Sequence, residues 1–400
     1  MELTAPGGDL NKVKTAIDFG ADAVYCGYNL FGLRATATNL DQADLREAIA
    51  YAHQHNAKLY LTLNAYLRNA DYPALTQFLV WLKDSEIDAV IVSDPGVFDL
   101  VRQYTTIPIH ISTQSNVTSV AAARFWAERG AKRIVMAREL SFSEILEIKN
   151  ALPELELECF VHGAMCVAYS GRCLLSAYFN QRSANSGACT QVCRWNWALA
   201  EEQRPGEYLP IAEDQYGSHI LSSKDLCLLE KLPALMQSGI HSGKIEGRMK
   251  SEYYVAQICR IYRKAMSTDP ADELTWNLLR EELEKVSHRP YWQGFYEFDN
   301  TDAGIVEKSK DKAYVSNREY CGKVIAHEDG NLVFDSLSKV SIGDSLEIIF
   351  PELSNDKTLQ VVELYDDDHN PVQCTKPNAR FRIPMPDSEV VGGLIRRCVD

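Results

Sequence analysis

The feature that most constrains the fold is an alternation. Over its first 250 residues the chain switches repeatedly between short β-branched runs and longer amphipathic stretches, the pattern of βαβ units around a parallel sheet. The strand patterns are Glu2–Ala5, Ala23–Cys26, Lys58–Asn64, Ala89–Ser93, Pro108–Ser112, Arg133–Ala137, Leu157–Val161 and Ser242–Glu246. Helical periodicity lies between them, at Leu10–Phe19, Leu45–His55, Tyr72–Ser85, Val97–Tyr104, Val120–Arg129 and Ser141–Ala151. Eight such strands predict an α/β fold, a (β/α)8 TIM-like barrel. The last strand arrives late, which predicts a cysteine-rich insertion over residues 162–239 inside a barrel of residues 1–266. A helical linker and junction over 267–316 follows. Closely spaced short strands with turn residues then predict a small C-terminal β-barrel over 317–400.

Composition narrows the class. The 400 residues carry a formal charge of −14, which argues against tight nonspecific binding of nucleic acid. The opening lacks a secretory pattern and no apolar run reaches membrane-spanning length, so a soluble cytoplasmic protein with no membrane role is expected. There thiols stay reduced, and clustered cysteines point to metal binding or catalysis. Of eleven cysteines, four form Cys166-x6-Cys173-x15-Cys189-x3-Cys193, and Cys227 follows. Soft thiolates suit an iron–sulfur cluster or zinc. Only Cys189 and Cys193 have the tight spacing usual in zinc sites, which favours a [4Fe–4S] cluster with zinc as the alternative. Cys193 and Cys227 compete for the fourth ligand position. Cys26, Cys159, Cys259, Cys321, Cys374 and Cys398 fit core positions.

In a barrel of this type the chemistry sits where strands end and loops begin. Those ends carry Asn64, Arg138, His162, Glu246 and Arg248, with Arg34, Arg172 and Lys250 nearby in sequence. Each glycine and asparagine there also fits an ordinary turn. His162 and His110 are candidate proton carriers. Lys244, Arg248, Lys250, Arg260, Arg263 and Lys264 form a local basic group able to meet phosphate or carboxylate oxygens, or to form a solvated helix face. No G-x-S-x-G elbow and no H-E-x-x-H helix occurs.

The segment Glu158-Cys159-Phe160-Val161-His162-Gly163-Ala164-Met165-Cys166, with Gly171-Arg172-Cys173-Leu174-Leu175-Ser176, resembles the signature of the collagenase-like peptidases of unknown catalytic type. The resemblance extends through Ser223-Lys224-Asp225-Leu226-Cys227, Lys244–Ser251, Ala5-Pro6-Gly7-Gly8 and Ser287-His288-Arg289. Barrel plus small terminal β-barrel is most similar to the tRNA hydroxylation protein P group of that family. The resemblance implies a tRNA uridine hydroxylation enzyme or subunit, supporting prephenate-dependent formation of 5-hydroxyuridine at the wobble position. It also implies a [4Fe–4S] cluster on Cys166, Cys173, Cys189 and Cys227, or with Cys193 as fourth ligand. His162, Glu246 and Arg248 are then the catalytic candidates; Arg34, Asn64, Arg138, Arg172 and Lys250 are the substrate-binding ones. Expected partners are tRNA, bound weakly or through a helper subunit, a small carboxylate metabolite and a paralogous member of the family. The rivals are a collagenase-like peptidase and a non-catalytic scaffold that delivers tRNA or a partner.

Overall fold

The computed structural model describes residues 1–32, 39–165, 175–181, 190, 192, 199–200, 208–209, 212–214, 217–219, 224–297 and 316–399. Eight parallel strands close on themselves: β1 (Glu2–Gly7), β2 (Ala23–Gly27), β3 (Lys58–Leu63), β4 (Ala89–Val92), β5 (Ile109–Ile111), β6 (Arg133–Val135), β7 (Glu156–Ala164) and β13 (Ser242–Ile245), the last pairing with both β7 and β1. This is the TIM-like barrel expected from the alternation. Between β7 and β13 lie α7 (Leu175–Asn180), two short antiparallel pairs, β8 (Leu199–Ala200) with β9 (Tyr208–Leu209) and β10 (Ala212–Asp214) with β11 (Gly217–His219), then β12 (Asp225–Cys227) and α8 (Leu232–Gln237). Most of the cysteine-rich segment lies outside the described residues.

The helices are α1 (Leu10–Asp18), α2 (Gln42–Gln54), α3 (Tyr72–Leu82), α4 (Pro95–Tyr104), α5 (Val120–Glu128), α6 (Phe142–Ala151), α9 (Glu252–Ser267) and α10 (Glu273–Leu283). Local chemistry starts them close to the strand ends. Asp94 caps α4 through Gly96 N at 2.7 Å with Pro95 in the first turn, and Ser141 and Glu144 close a capping box on α6. The outward strand residues Leu3, Leu59, Leu61, Val90, Val92 and Ile111 are fully buried beneath the helices, each contributing roughly 1.5–3 kcal/mol.

Two features extend the barrel. β12 runs antiparallel to β7, and β14 (Tyr291–Trp292) adds parallel to β12. Trp276, Leu279 and Leu283 of α10 join the barrel core, so this stretch of the expected linker is packed structure. Beyond it β15 (Arg318–Glu328), β16 (Asn331–Ser336), β17 (Ser345–Ile349), β18 (Lys357–Gln360), β19 (Tyr365–Asp366), β20 (Ala379–Pro384) and β21 (Leu394–Cys398) form a curled antiparallel sheet in the order β18-β17-β21-β15-β16-β20-β19. Its own core contains Val324, Phe334, Leu346, Ile348 and Ile395.

Buried charges dock this sheet on the barrel. Arg260 donates to Glu282 at 2.8 Å and to Asp356 at 2.7 Å, while Arg396 bridges Glu282 at 3.2 Å and Glu347 at 2.7 Å. Glu282, which burial alone would raise, is held at about 2 by Arg396 and Arg260. Among the described residues no helix is long and apolar enough to cross a membrane.

Candidate functional site at the barrel mouth

The inward positions alternate with the apolar outward ones, and many are charged. Arg133 donates to Glu2 at 2.5 Å, Glu156 at 2.7 Å and Glu158 at 3.0 Å, and Lys244 donates to Glu158 at 2.7 Å. Thr4 and Ser242 exchange a hydroxyl hydrogen bond at 2.8 Å, and Tyr60 donates to Glu2 at 3.0 Å. Burial would raise the Glu158 carboxyl, yet Lys244 and Arg133 outweigh it and hold it at about 2. His110, buried beside the Tyr60 ring at 4.8 Å, is pushed down to about 3 by burial and then by Arg133. The lumen is therefore a closed ion network, and none of Arg133, Glu158, Lys244 or Tyr60 was picked out as a lumen group from sequence.

Above this layer the strand ends form the mouth. Arg248, after β13, donates from Nη1 to Thr62 Oγ1 at 3.1 Å. Gly27 makes room for it: a Cβ there would lie 2.8 Å from Arg248 Nη1 and 2.5 Å from Asn39 Oδ1. Asn64 donates to Gln114 Oε1 at 3.3 Å, and the Ser112 hydroxyl donates to the same oxygen. Arg138 lies 3.7 Å over the Phe160 ring and donates to Glu246 Oε2 at 3.3 Å. Glu246 N donates to His162 O at 2.8 Å; Gly163, at φ +110°, allows the close approach because a Cβ would meet the Glu246 carbonyl.

The sequence candidates thus divide. Asn64, Arg138, Glu246 and Arg248 gather at the mouth, whereas Arg34 and Arg172 lie outside the described residues. Lys250 donates to Ser287 O at 3.3 Å and stands 5.1 Å from the Tyr254 ring. His162 is buried, with the Tyr254, Tyr262 and Tyr291 rings 5.4–6.1 Å away and Tyr262 OH 3.3 Å from Nδ1. Burial lowers it to about 3. The basic group is not a surface patch: Lys244, Arg248 and Arg260 are buried, and Arg263 donates to Gly20 O at 2.7 Å and to Asp22 at 2.6 Å.

Of the five clustered thiols only Cys227 lies among the described residues; Cys166, Cys173, Cys189 and Cys193 do not. Cys227 ends β12 opposite His162, forms no disulfide, and sits 3.8 Å from Tyr262 OH. Burial pushes its thiol up to about 11. A half-buried soft donor at the exit of β7 fits one position of a thiolate ligand set. Among the described residues no group of three or more His, Cys, Asp or Glu is arranged to hold a metal ion. Of the cysteines expected in cores, Cys26, Cys159, Cys259 and Cys321 are buried, but Cys374 is half-buried and Cys398 exposed, because each lies near a sheet edge or end.

Residues 8–305 match the family described as Peptidase family U32. The chain belongs to that family. It is 35% identical over 410 aligned positions to tRNA hydroxylation protein P of Escherichia coli strain K12, covering 90% of this chain and 89% of that protein. It is 37% identical to the 23S rRNA 5-hydroxycytidine C2501 synthase of the same organism, over 72% of this chain and 42% of that one. A third relative, a collagenase of Porphyromonas gingivalis, is 32% identical over 74% of this chain and 73% of its own. Among solved structures, the U32 peptidase Mk0906 aligns with a TM-score of 0.41 and 14% identity, covering 62% of this chain and 93% of that one.

Proposed function

We propose that this U32 family chain is an RNA-modifying enzyme or subunit that supports prephenate-dependent hydroxylation of the tRNA wobble uridine to 5-hydroxyuridine. One observation carries the reading: the similarity to tRNA hydroxylation protein P runs through 90% of the chain, into the C-terminal sheet. The Bacillus subtilis protein P1 extends it to 94%. The collagenase match stops at 74%, although shorter matches also include tRNA hydroxylation proteins.

In this reading the barrel mouth receives the reacting groups. Arg138 and Arg248 supply planar donors suited to carboxylate or phosphate oxygens, and Asn64 and Gln114 supply carboxamides that can read a base or a hydroxyl. Cys166, Cys173, Cys189 and Cys227 would hold a [4Fe–4S] cluster, Cys193 being the alternative fourth ligand, and the cluster would supply electron transfer or Lewis acidity when bound. The acidic surface predicts weak, salt-sensitive tRNA association or a helper subunit, in the cytoplasm where tRNA is modified.

The test is mass spectrometry of tRNA nucleosides from a deletion strain lacking any redundant route. Loss of 5-hydroxyuridine and its derivatives is expected, and unchanged levels defeat the reading. Single Ala variants of the five cysteines test the ligand set through iron per chain: full iron in the Cys166 and Cys173 variants would remove the cluster from the account. The peptidase reading keeps one specific support, the collagenase relative, and gelatin cleavage by metal-replete protein would favour it.

A further inference from the structure

We infer that Tyr262 is a positioning residue for the ligand Cys227: its hydroxyl is the hydrogen-bond donor to the ligand sulfur, and it tunes how readily the bound cluster is reduced. The inference rests on the ligand set proposed above. It adds a residue that lies outside that set and outside the sequence motifs.

A buried phenol in the middle of a helix needs a reason, because phenylalanine fills almost the same space with no hydroxyl to serve. Tyr262 is fully buried in α9, and its hydroxyl stands where three acceptors converge: Val161 O at 2.8 Å, His162 Nδ1 at 3.3 Å and Cys227 Sγ at 3.8 Å. One proton cannot serve all three. Val161 O does not depend on it, since Leu228 N donates to the same carbonyl at 2.8 Å. The hydroxyl can therefore turn to the sulfur without orphaning a backbone group. His162 completes the chain, because its Nδ1–H tautomer then donates to the phenol oxygen.

Which acceptor takes the hydroxyl proton depends on the state of the sulfur. A thiol sulfur is a weak acceptor, and a carbonyl outranks it. Metal binding removes the thiol proton, and the resulting thiolate draws the donor within reach because charge-assisted bonds are the stronger ones. The surroundings of Cys227 suit that state. The Leu229 N–H also bears on this sulfur, and Cys227 pairs with His162 across β12 and β7, next to the carbonyl that Tyr262 now serves. The buried thiols Cys159 and Cys259 meet no such donor among the described residues. Hydrogen bonds to a ligand sulfur stabilise the reduced, more negative cluster and so raise its potential.

The test is a mediated redox titration of the iron-reconstituted full chain, followed by the visible absorption of the cluster. Tyr262→Phe should shift the reduction equilibrium about fivefold toward the oxidised form, a potential roughly 40 mV lower for one electron. 3-Fluorotyrosine in place of Tyr262 keeps the shape and makes the hydroxyl a stronger donor, so it should move the potential the opposite way. Tyr291→Phe is the control. That ring also borders His162, but its hydroxyl donates to Leu283 O at 3.3 Å, and its loss should leave the potential where it is. A purely structural Tyr262 would lower stability without moving the potential. An unchanged potential in Tyr262→Phe, an equal shift in Tyr291→Phe, or a fluorotyrosine shift of the same sign as Tyr262→Phe overturns the inference. Full iron in Cys227→Ala overturns it by placing the fourth ligand elsewhere, and a wild-type chain that takes up no iron overturns it together with the cluster. No RNA is present, so each of these failures is distinct from unchanged tRNA nucleosides in the deletion strain.

Discussion

Replacing Glu158 by Gln tests whether the lumen network holds the barrel together. The amide keeps the shape and removes the charge that touches both Lys244 at 2.7 Å and Arg133 at 3.0 Å. Arg133 retains Glu2 and Glu156, but Lys244 loses its counter-charge, keeping the amide oxygen as an acceptor and the Tyr25 ring at 4.1 Å. Removing one partner of a buried pair costs about 3–5 kcal/mol. The carboxyl gives an independent figure: held at about 2 instead of the ordinary 4.5, it contributes roughly 3 kcal/mol near neutrality. At roughly 2–4 °C per kcal/mol for a domain of this size, the melting temperature should fall by about 6–12 °C at pH 7. The folded value lies below the unfolded one, so the contribution is complete above about pH 4.5 and is lost as the pH falls through about 2. Calorimetry of both proteins from pH 7 to pH 2 should show the difference shrinking to nothing. A loss below about 1 kcal/mol at pH 7, or a difference independent of pH, would refute the reasoning.

Three further outcomes follow from neighbouring groups. His110 is held near 3 by burial, below its unfolded value, so its contribution is full above about pH 6.5 and falls as pH drops toward 3; His110→Gln should flatten the unfolding free energy between pH 6.5 and 5, where wild type loses up to about 1.4 kcal/mol per pH unit from this group. Equal slopes would contradict this. Gly27→Ala places a Cβ 2.8 Å from Arg248 Nη1, so tRNA hydroxylation should collapse while circular dichroism stays native; full activity would show that Arg248 need not hold Thr62. Glu282→Gln removes the counter-charge shared by Arg260 and Arg396, and limited proteolysis should release the C-terminal sheet faster, an unchanged rate counting against charge-mediated docking.

How legible all this was depends on the range of the signal. The barrel shows in the sequence because its strands and helices announce themselves by local periodicity. Glu158 and Lys244 were also there to be read: a strand buried on both faces in a parallel sheet has no solvated side, so charges inside it had to face the lumen. The missing signal was the partner, since Lys244 meets Glu158 across 86 residues. Separation along the chain also hid β21. Its Arg396 is buried against Glu282, 114 residues earlier. The basic group from Lys244 to Lys264 failed for a related reason, because counting like charges along a helix ignores the carboxylates that other elements bring. At the mouth, Arg138 and Glu246 were both identified as strand-end residues, and only the closed barrel shows that they meet. His162 was identified too, but the tyrosines that enclose it come from α9 and β14.

The central claim is that this barrel mouth serves RNA hydroxylation. It is tested most directly by returning wild type and Arg138→Gln to a deletion strain at equal protein levels and counting 5-hydroxyuridine derivatives per tRNA by mass spectrometry. Wild type should restore the modification and Arg138→Gln should restore less than about a tenth of it, the loss expected when a charge-assisted arginine contact worth about 1.5–3 kcal/mol is removed. Full restoration by Arg138→Gln, or none by wild type, would contradict the account.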